Sequence, residues 1–405
     1  MSAARPPPLA GVTVVDLSQI YNGPYATFLL AQAGANVIKV EPLTGEHLRR
    51  RSAVGGAALP FAMLNANKSP VTLNLKSERG RELLLQMAMR ADVLVENFAP
   101  GVMDRLGLGW EQLRAANPRL IYASSSGFGS SGPNRDFPAM DLTVQAMSGV
   151  MSVTGFEDRP PVKAGPALCD FFAGTHLYGA ITTALYEREK TKTGRRVEVS
   201  MQEAVYPSLA SNLGLYFSSG GKVPLRTGNR HGGLAESPYN VYPTADGWIA
   251  ILCAGEEQWR ALTRVMGRPE LAQDPRFVEL ATRVKHLDEV DAAVTAFTRT
   301  QGKGRLFEIL AGAHIPCAPV RDLEEVVNDV HLHQRGFLQW IDHPVLGRIV
   351  VPNSPLRFMD TPLTPHVPSK KLGADNRNVY GEWLGLPPEV ISELEKQGVI
   401  SGMEQ

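Results

Sequence analysis

The fold of this chain is decided by residues 12–41, which read VTVVDLSQIYNGPYATFLLAQAGANVIKVE. Residues 12–16 form a short β-branched run that ends in an acid, as is typical of a buried parallel strand. Pro24 lies near the start of a helical stretch that Gly34 ends, and residues 36–41 return to strand. This stretch therefore predicts one βαβ unit.

The alternation of strands and helices continues along the first half of the chain. Ser77 lies at the N-cap position of a predicted helix. Strands that alternate with helices predict the α/β class, in which helices cover both faces of a parallel sheet. The further predicted elements are a strand at 71–75, a helix at 80–90, strands at 93–96 and 120–124, a helix at 170–189 and a strand at 196–200.

A second, smaller α/β domain is predicted to begin at residue 239, where the composition changes. The preceding segment, 218–238, contains a Gly- and Ser-rich stretch and is interpreted as a long loop or linker. A strand at 248–252 and helices at 258–266 and 288–300 belong to the second domain.

The composition of the 405 residues excludes several classes of function. Lys and Arg total 41 and are balanced by 41 Asp and Glu, which argues against a nucleic-acid binder and a polybasic membrane-surface protein. The three cysteines lie far apart, so neither a disulfide framework nor a metal site is expected. With no signal-peptide pattern and no long apolar run, we expect a cytoplasmic protein that does not span a membrane.

A glycine motif, Gly127-Phe-Gly-Ser-Ser-Gly132, matches the pattern of dinucleotide-binding loops. In such sites the motif opens a helix, whereas here Pro133 and further loop residues follow, so we interpret it as a turn. The pair His331 and His333 has no cysteine or carboxylate at metal-ligand spacing. We therefore expect neither a nicotinamide cofactor nor a bound metal.

Asp170 is the carboxylate that stands out, because it lies at the start of an apolar helix. It is interpreted either as the N-cap of that helix or as a nucleophile whose pKa is set by burial and helix-terminal amides. The basic residues Lys76 and Arg105 and the run 49–51 lie near predicted strand ends. They are interpreted either as solvated charges or as ligands for the phosphates of a nucleotide-like cofactor.

Taken together, the segments of this chain resemble the family III CoA-transferases, which include formyl-CoA transferase, carnitine CoA-transferase and α-methylacyl-CoA racemases. The resemblance extends from residue 9 to residue 400. The segments that carry it are 8–12, 22–24, 34–41, 65–68, 92–98 with Pro100-Gly101, 127–133 and Asp170 before its helix.

The resemblance implies a Rossmann-like large domain formed by residues 1–217 and 330–405, with the small domain at 239–329 inserted between them. It also implies an interlocked homodimer. Coenzyme A is expected as a co-substrate and not as a permanently bound cofactor. Pro42 stands where some transferases have a CoA-contacting Arg, a role that the arginines at 49–51 could take. The residues expected at the CoA site are Tyr21, Asn22, Leu73, Lys76, Asn97, Phe98, Arg105, Met140 and Asp141.

By resemblance, Asp170 is the nucleophile that forms an aspartyl anhydride and then an aspartyl-CoA thioester. Racemases of this family are similar but have Gly-His-Asp where this chain reads Ala139-Met140-Asp141, and methionine cannot transfer a proton. Racemisation is therefore disfavoured but remains an alternative, as does a CoA- or nucleotide-binding protein without catalysis.

The expected substrates are an acyl-CoA and a small acid, which could be dicarboxylic. Arg226, Arg230 and His231 are interpreted either as ligands of a second carboxylate or as solvated loop charges. A mobile loop over the intermediate is expected at residues 228–233, and its candidate site residues are Arg230, His231, Gly232 and Gly233.

Overall fold

The computed structural model of the protein describes residues 5–51 and 58–402. A six-stranded sheet with all neighbours parallel forms its centre. Its strands are β1 (Thr13–Asp16), β2 (Asn36–Glu41), β3 (Lys68–Thr72), β4 (Val93–Glu96), β5 (Ile121–Ser126) and β6 (Arg196–Ser200). The prediction of an α/β chain with a parallel sheet is confirmed.

The strand order, β3-β2-β1-β4-β5-β6, reverses its direction of growth between β1 and β4. Because the loops after two such strands run to opposite faces of the sheet, a crevice opens at their carboxyl ends, where open parallel sheets bind ligands. Five further strands are β7 (Tyr239–Pro243), β8 (Trp248–Leu252) and β9 (Cys317–Pro319), which form an antiparallel sheet, and the hairpin of β10 (Leu338–His343) and β11 (Gly347–Pro352).

Helices connect and cover these strands. Those before residue 200 are α1 (Asn22–Gln32), α2 (His47–Arg50), α3 (Ala58–Leu64), α4 (Glu78–Arg90), α5 (Val102–Arg105), α6 (Trp110–Ala116), α7 (Asp141–Met147), α8 (Val150–Val153) and α9 (Leu168–Thr191). The later ones are α10 (Met201–Val205), α11 (Ala210–Ser219), α12 (Glu256–Val265), α13 (Leu280–Arg283), α14 (Leu287–Thr298), α15 (Lys303–Gly312), α16 (Leu323–Val327), α17 (Val330–Gln334) and α18 (Pro388–Lys396). Two 3₁₀ turns, Tyr206–Leu209 and Pro269–Ala272, and a π-helix, Arg377–Trp383, complete the set.

Strand β3 differs from the sequence prediction, which places it at 71–75. The strand begins at Lys68 and ends at Thr72, and Leu73 follows it as a buried core residue. The cause is the Lys68 side chain, which is buried through bonds to other polar groups. A sequence pattern that treats lysine as exposed misses a strand of this kind.

The chain groups into two compact units. The first unit contains the described residues of Met1–Val144, Pro166–Val205 and Asp329–Gln405, and the second contains Gln145–Gly165 and Tyr206–Asn328. Residues 145–165 and 206–217, which the sequence analysis places in the large domain, belong to the second unit. The sheet of β7, β8 and β9 lies in this unit, and its core includes Trp259, Leu262 and Leu306.

Both faces of the parallel sheet are buried within the first unit. Successive residues of a strand point to opposite faces. On one face Leu94 packs in a cluster with Leu84 and Met87 of α4. On the other, Val93 packs in a cluster with Leu30 of α1 and with Leu177 of α9. Among residues 5–51 and 58–402, no helix has the length and apolarity needed to cross a membrane.

Candidate active site

A cavity of about 230 Å³ lies at the carboxyl ends of β1, β4 and β5, beside the reversal of strand order. Loops that leave these strands supply most of its wall, and Asp170 in the first turn of α9 completes it. The residues that line it are Gln19, Ile20, Asn22, His47, Asn97, Ser125, Ser126, Gly127, Ala139, Met140, Asp170 and Met201.

Asp170 is the third residue of α9 and not its N-cap, so the capping interpretation is wrong. The helix begins at Leu168, and the amides of its first turn are bound by Asp141: its Oδ1 accepts from the N–H of Cys169 at 2.9 Å and of Asp170 at 3.4 Å. Because Asp141 satisfies these amides, the carboxylate of Asp170 is left to face the cavity.

The surroundings of the Asp170 side chain disfavour its negative charge. The residue is 8% exposed, and burial, reinforced by the neighbouring charge of Asp141, raises the pKa of its carboxyl to about 7. A hydrogen bond from the backbone N–H of Asn22 opposes this rise. The carboxylate is therefore present near neutral pH but is poorly stabilised, a state that favours reaction with an electrophile.

The turn that carries Asn22 connects β1 to α1 and is anchored by a buried ion cluster. Lys68 Nζ lies 3.0 Å from Asp16 Oδ2 and donates to the carbonyl of Pro24 at 3.1 Å. Lys39 donates to the carbonyl of Ser18. The two lysines therefore fix both ends of the turn.

Electrostatics keep this cluster ionised. Burial works against the charge on Asp16, but Lys39 and Lys68 outweigh it and hold the pKa of this carboxyl at about 2. Burial lowers the pKa of Lys68 to about 8, against the opposing effect of Asp16. A buried carboxylate that is paired with two lysines stays charged, and this rigidifies the turn.

Asn97, which follows β4, binds the same turn from the other side. Its side chain accepts from the N–H of Gln19 at 2.7 Å and donates to the carbonyl of Gln19 and to Asn22 Oδ1 at 2.8 and 2.9 Å. Asn22 and Asn97 are thus brought together, because β1 and β4, the strands that precede them, are neighbours in the sheet.

The close approach of α1 to α9 depends on Gly174, one turn after Asp170. A Cβ atom at this position would lie 2.5 Å from the carbonyl oxygen of Asn22. Aromatic packing continues the contact, since the ring of Tyr21 stacks on Phe171 with centroids 6.1 Å apart. Glycine at 174 therefore permits the distance at which the Asn22 amide reaches Asp170.

The predicted CoA residues fall into two groups. Asn22, Asn97 and Met140 line the cavity with Asp170, and the neighbouring Tyr21 has its pKa raised by burial and by the charges of Asp170 and Asp141. The others lie outside the cavity: Asp141 binds the first amides of α9, Leu73 is buried in the core, Lys76 and Arg105 are exposed, and Phe98 lines a separate small cavity near Glu96.

The predicted loop residues Arg230, His231, Gly232 and Gly233 belong to the second unit. The guanidinium of Arg230 is already paired, with Asp291 at 2.7 Å and Asp288 at 2.5 Å. The N–H of Gly233 donates to His231 Nδ1 at 3.1 Å. The charge of Arg230 is thus balanced within its own unit.

Several cavity and support residues escaped the sequence analysis. Gln19, His47 and Ser125 line the cavity, and Asp16 supports it from below. Asp16 has a usable signal, an acid at the end of a buried strand, whereas a single serine or histidine has none.

Glu41, at the end of β2, binds Arg49 with contacts of 2.8 and 2.9 Å, so that arginine is also paired. Across residues 5–51 and 58–402, no cluster of three or more His, Cys, Asp or Glu could hold a metal ion.

Comparisons with known proteins agree on one family. The family model described as CoA-transferase family III matches residues 9–376. Formyl-CoA:oxalate CoA-transferase of Streptomyces avermitilis is 39% identical, with 97% of this chain and 99% of that protein covered. Acetyl-CoA:oxalate CoA-transferase of Acetobacter aceti is 40% identical, with 87% and 89% covered.

A solved structure gives the same result for the fold. The CaiB/BaiF family protein from Brucella suis superposes with a TM-score of 0.81 at 33% identity, covering 93% of this chain and 100% of that chain. Sequence identities above 30% over nearly the full length show common family membership. The chain therefore belongs to CoA-transferase family III and is an enzyme that transfers coenzyme A.

Proposed function

We propose that this enzyme moves CoA from an acyl-CoA donor to a carboxylic acid acceptor, with Asp170 as the nucleophile. The observation that supports this most is the placement of Asp170: a buried carboxyl with a pKa raised to about 7, lining a cavity at the carboxyl ends of the sheet. A carboxylate whose charge is destabilised by burial and by a second acid is suited to nucleophilic attack.

In the first step an oxygen of the Asp170 carboxylate attacks the thioester carbonyl carbon of the donor. The C–S bond breaks, CoA leaves as the thiolate, and an aspartyl mixed anhydride forms. The thiolate then attacks the aspartyl carbonyl, which releases the donor acid and leaves an aspartyl-CoA thioester. The acceptor carboxylate attacks this thioester, and the same two exchanges run in reverse to give the new acyl-CoA and free Asp170.

The environment of Asp170 favours acylation for an electrostatic reason. Acylation removes the negative charge of the side chain and with it both the cost of burial and the repulsion from Asp141, the two causes of its raised pKa. The Asn22 amide, which donates to the free carboxylate, helps to orient it for attack. Burial also keeps water from the anhydride, which it would hydrolyse.

Coenzyme A is proposed to contact Tyr21, Asn22, Asn97, Phe98, Met140 and Asp141 near the cavity, with the exposed cations Lys76 and Arg105 close to its phosphates. Leu73, whose side chain is buried, is proposed to contribute through its backbone. An interlocked homodimer and the roles of residues 230–233 stay predictions from the family resemblance. Both relatives named above act on oxalate, which supports a short dicarboxylic acid as one substrate.

The test is to trap the acyl-enzyme. The protein is incubated with acetyl-CoA or succinyl-CoA, treated with hydroxylamine or borohydride, digested and analysed by mass spectrometry. We expect modification of Asp170, and loss of CoA exchange in Asp170→Asn. Asp136→Asn, a change at an exposed carboxylate, serves as the matched control.

An unmodified Asp170, or exchange at the wild-type rate in Asp170→Ala, would exclude this mechanism. Deuterium incorporation at the α-carbon without CoA exchange would instead support racemisation, which Met140 disfavours because a thioether carries no transferable proton.

A further inference from the structure

Ser125, near the end of β5, has a buried hydroxyl that the proposed mechanism does not use. The residue is 2% exposed, and its Oγ has no hydrogen-bond partner among the residues that the structure describes. Buried hydroxyls in native proteins are nearly always bonded. An unpaired one in the wall of an active-site cavity is a candidate ligand for substrate.

The alternation of β5 directs Ser125 toward α9. Ile121 and Ala123 pack in the cluster that contains Leu177 and Ile181 of α9, and Ser125 is the next residue on that face. Asp170, about two and three turns before those helix residues, lies over the same face at the carboxyl edge of the sheet. Ser125 and Asp170 therefore share one cavity because strand and helix present them to each other.

Ser124, its neighbour on the strand, points to the opposite face. Its Oγ lies 3.5 Å from the carbonyl of Val197 on β6, and it does not line the Asp170 cavity. The chain thus offers a serine of the same strand as an internal control.

His47 supplies a second donor in the same cavity. Arg50 Nη2 lies 3.2 Å from its Nδ1. A guanidinium group only donates, so Nδ1 must accept this hydrogen bond, and the ring proton resides on Nε2. His47 therefore has its Nε2–H available to a ligand, as Ser125 has its O–H.

We propose that Ser125 and His47 bind the second carboxylate of a dicarboxylic substrate whose first carboxyl group exchanges CoA at Asp170. A carboxylate only accepts hydrogen bonds and so matches two donors, whereas the end of an unsubstituted acyl chain would leave both unpaired. This proposal rests on the proposed function and adds to it the residues that select the acid.

The experiment measures CoA exchange from acetyl-CoA to acids of equal length that differ in one carboxylate: malonate and propionate, succinate and butyrate, glutarate and valerate. The readout is the ratio of kcat/KM for the dicarboxylate to that for the monocarboxylate. Loss of one hydrogen bond to a charged group is worth about tenfold. We expect Ser125→Ala and His47→Leu each to lower the ratio by about that factor, and Ser125→Thr to restore most of it.

Ser124→Ala, the control on the opposite face of β5, should leave the ratio at the wild-type value. Equal losses with both acids of a pair would overturn the proposal, since they would mean that Ser125 acts on the reacting group common to all substrates or on the fold. An unchanged ratio in Ser125→Ala would overturn it as well.

Binding of succinate to the free protein, measured by calorimetry for the wild type and Ser125→Ala, separates this proposal from the proposed function. Succinate binding that weakens in Ser125→Ala supports the carboxylate site even in a protein that exchanges no CoA. Succinate binding that is equal in both, or absent in both, contradicts it even if CoA exchange is demonstrated.

Discussion

The backbone N–H of Asn22, the first residue of α1, donates a hydrogen bond to the carboxylate of Asp170, the third residue of α9. The two residues are distant in sequence but meet where α1 and α9 pack over the carboxyl edge of the sheet. Asp141 opposes this bond electrostatically, since its charge raises the pKa of Asp170 while the Asn22 amide lowers it. The pKa of Asp170 is set by its burial and by the balance of these two neighbours.

The first prediction concerns the pH dependence of exchange. In the proposed mechanism only the carboxylate form of Asp170 attacks, so kcat/KM should rise with pH through about 7, the raised pKa of this group. Asp141→Asn removes one cause of that rise but keeps an oxygen to accept from Cys169, so the rise should move to lower pH. Asp136→Asn should not move it. A pH profile unchanged by Asp141→Asn would refute the electrostatic coupling.

The second prediction concerns stability. The pKa of Asp170 is raised from 3.8 to about 7 in the folded protein. The contribution of this carboxyl to the free energy of unfolding is therefore most favourable below pH 3.8 and is lost as the pH rises to 7. A pKa change of one unit corresponds to about 1.4 kcal/mol, so ionisation of Asp170 lowers the free energy of unfolding at pH 8 by roughly 4 kcal/mol at most. Asp170→Asn should therefore raise the free energy of unfolding at pH 8 and change it little at pH 4.

Denaturant unfolding at the two pH values measures this effect. A variant that is stabilised equally at pH 4 and pH 8, or destabilised at pH 8, would show that ionisation of Asp170 is not costly in the folded enzyme.

The third prediction tests the packing of α1 against α9. In Gly174→Ala the new methyl group would contact the carbonyl of Asn22 at 2.5 Å, which forces the Asn22 amide away from Asp170. We expect a loss of about 10- to 100-fold in kcat, as for other small displacements of reacting groups. Gly179→Ala is the control on the same helix: its methyl group meets no described atom within 4 Å.

The control variant should retain activity and gain about 0.5–1 kcal/mol of stability from the better helix propensity of alanine. Equal kcat values in the two variants would mean that the approach of α1 does not position Asp170.

The fourth prediction concerns the buried ion cluster. Lys68→Met leaves the carboxylate of Asp16 with Lys39 as its remaining cation, at 3.8 Å. Breaking a buried pair costs about 3–5 kcal/mol, so the free energy of unfolding should fall by that order. Lys371→Met, at an exposed lysine, should change it by less than about 0.5 kcal/mol. Equal unfolding curves for both variants would contradict the importance of the cluster.

The central sheet could be predicted well because buried parallel strands have a recognisable hydrophobic pattern in the sequence. Runs such as residues 36–41 and 93–96 are rich in Val, Ile and Leu and lie between helical stretches, and the structure has strands there. The prediction failed at β3, where Lys68 is buried through its bonds to Asp16 and Thr27. Burial of a charge depends on partners that no local pattern contains.

The helix that carries Asp170 was predicted, but its cap was not. Asp141, 28 residues before Cys169 in the chain, binds the first amides of α9. The carboxylate of Asp170 is therefore free to face the cavity. The local sequence shows only an acid at the start of a helix, and this pattern cannot distinguish a cap from a cavity residue.

The sequence by itself determined the α/β class, the strands of the parallel sheet and, through an ordered set of motifs, the transferase family. These follow from local hydrophobic periodicity and from motifs that are read along the chain. Tertiary structure alone decided which groups surround Asp170: the Asn22 amide, the Asp141 carboxylate and the buried hydroxyl of Ser125. Burial and charge proximity arise from residues far apart in the chain, and they set the pKa and the hydrogen bonds on which the proposed chemistry depends.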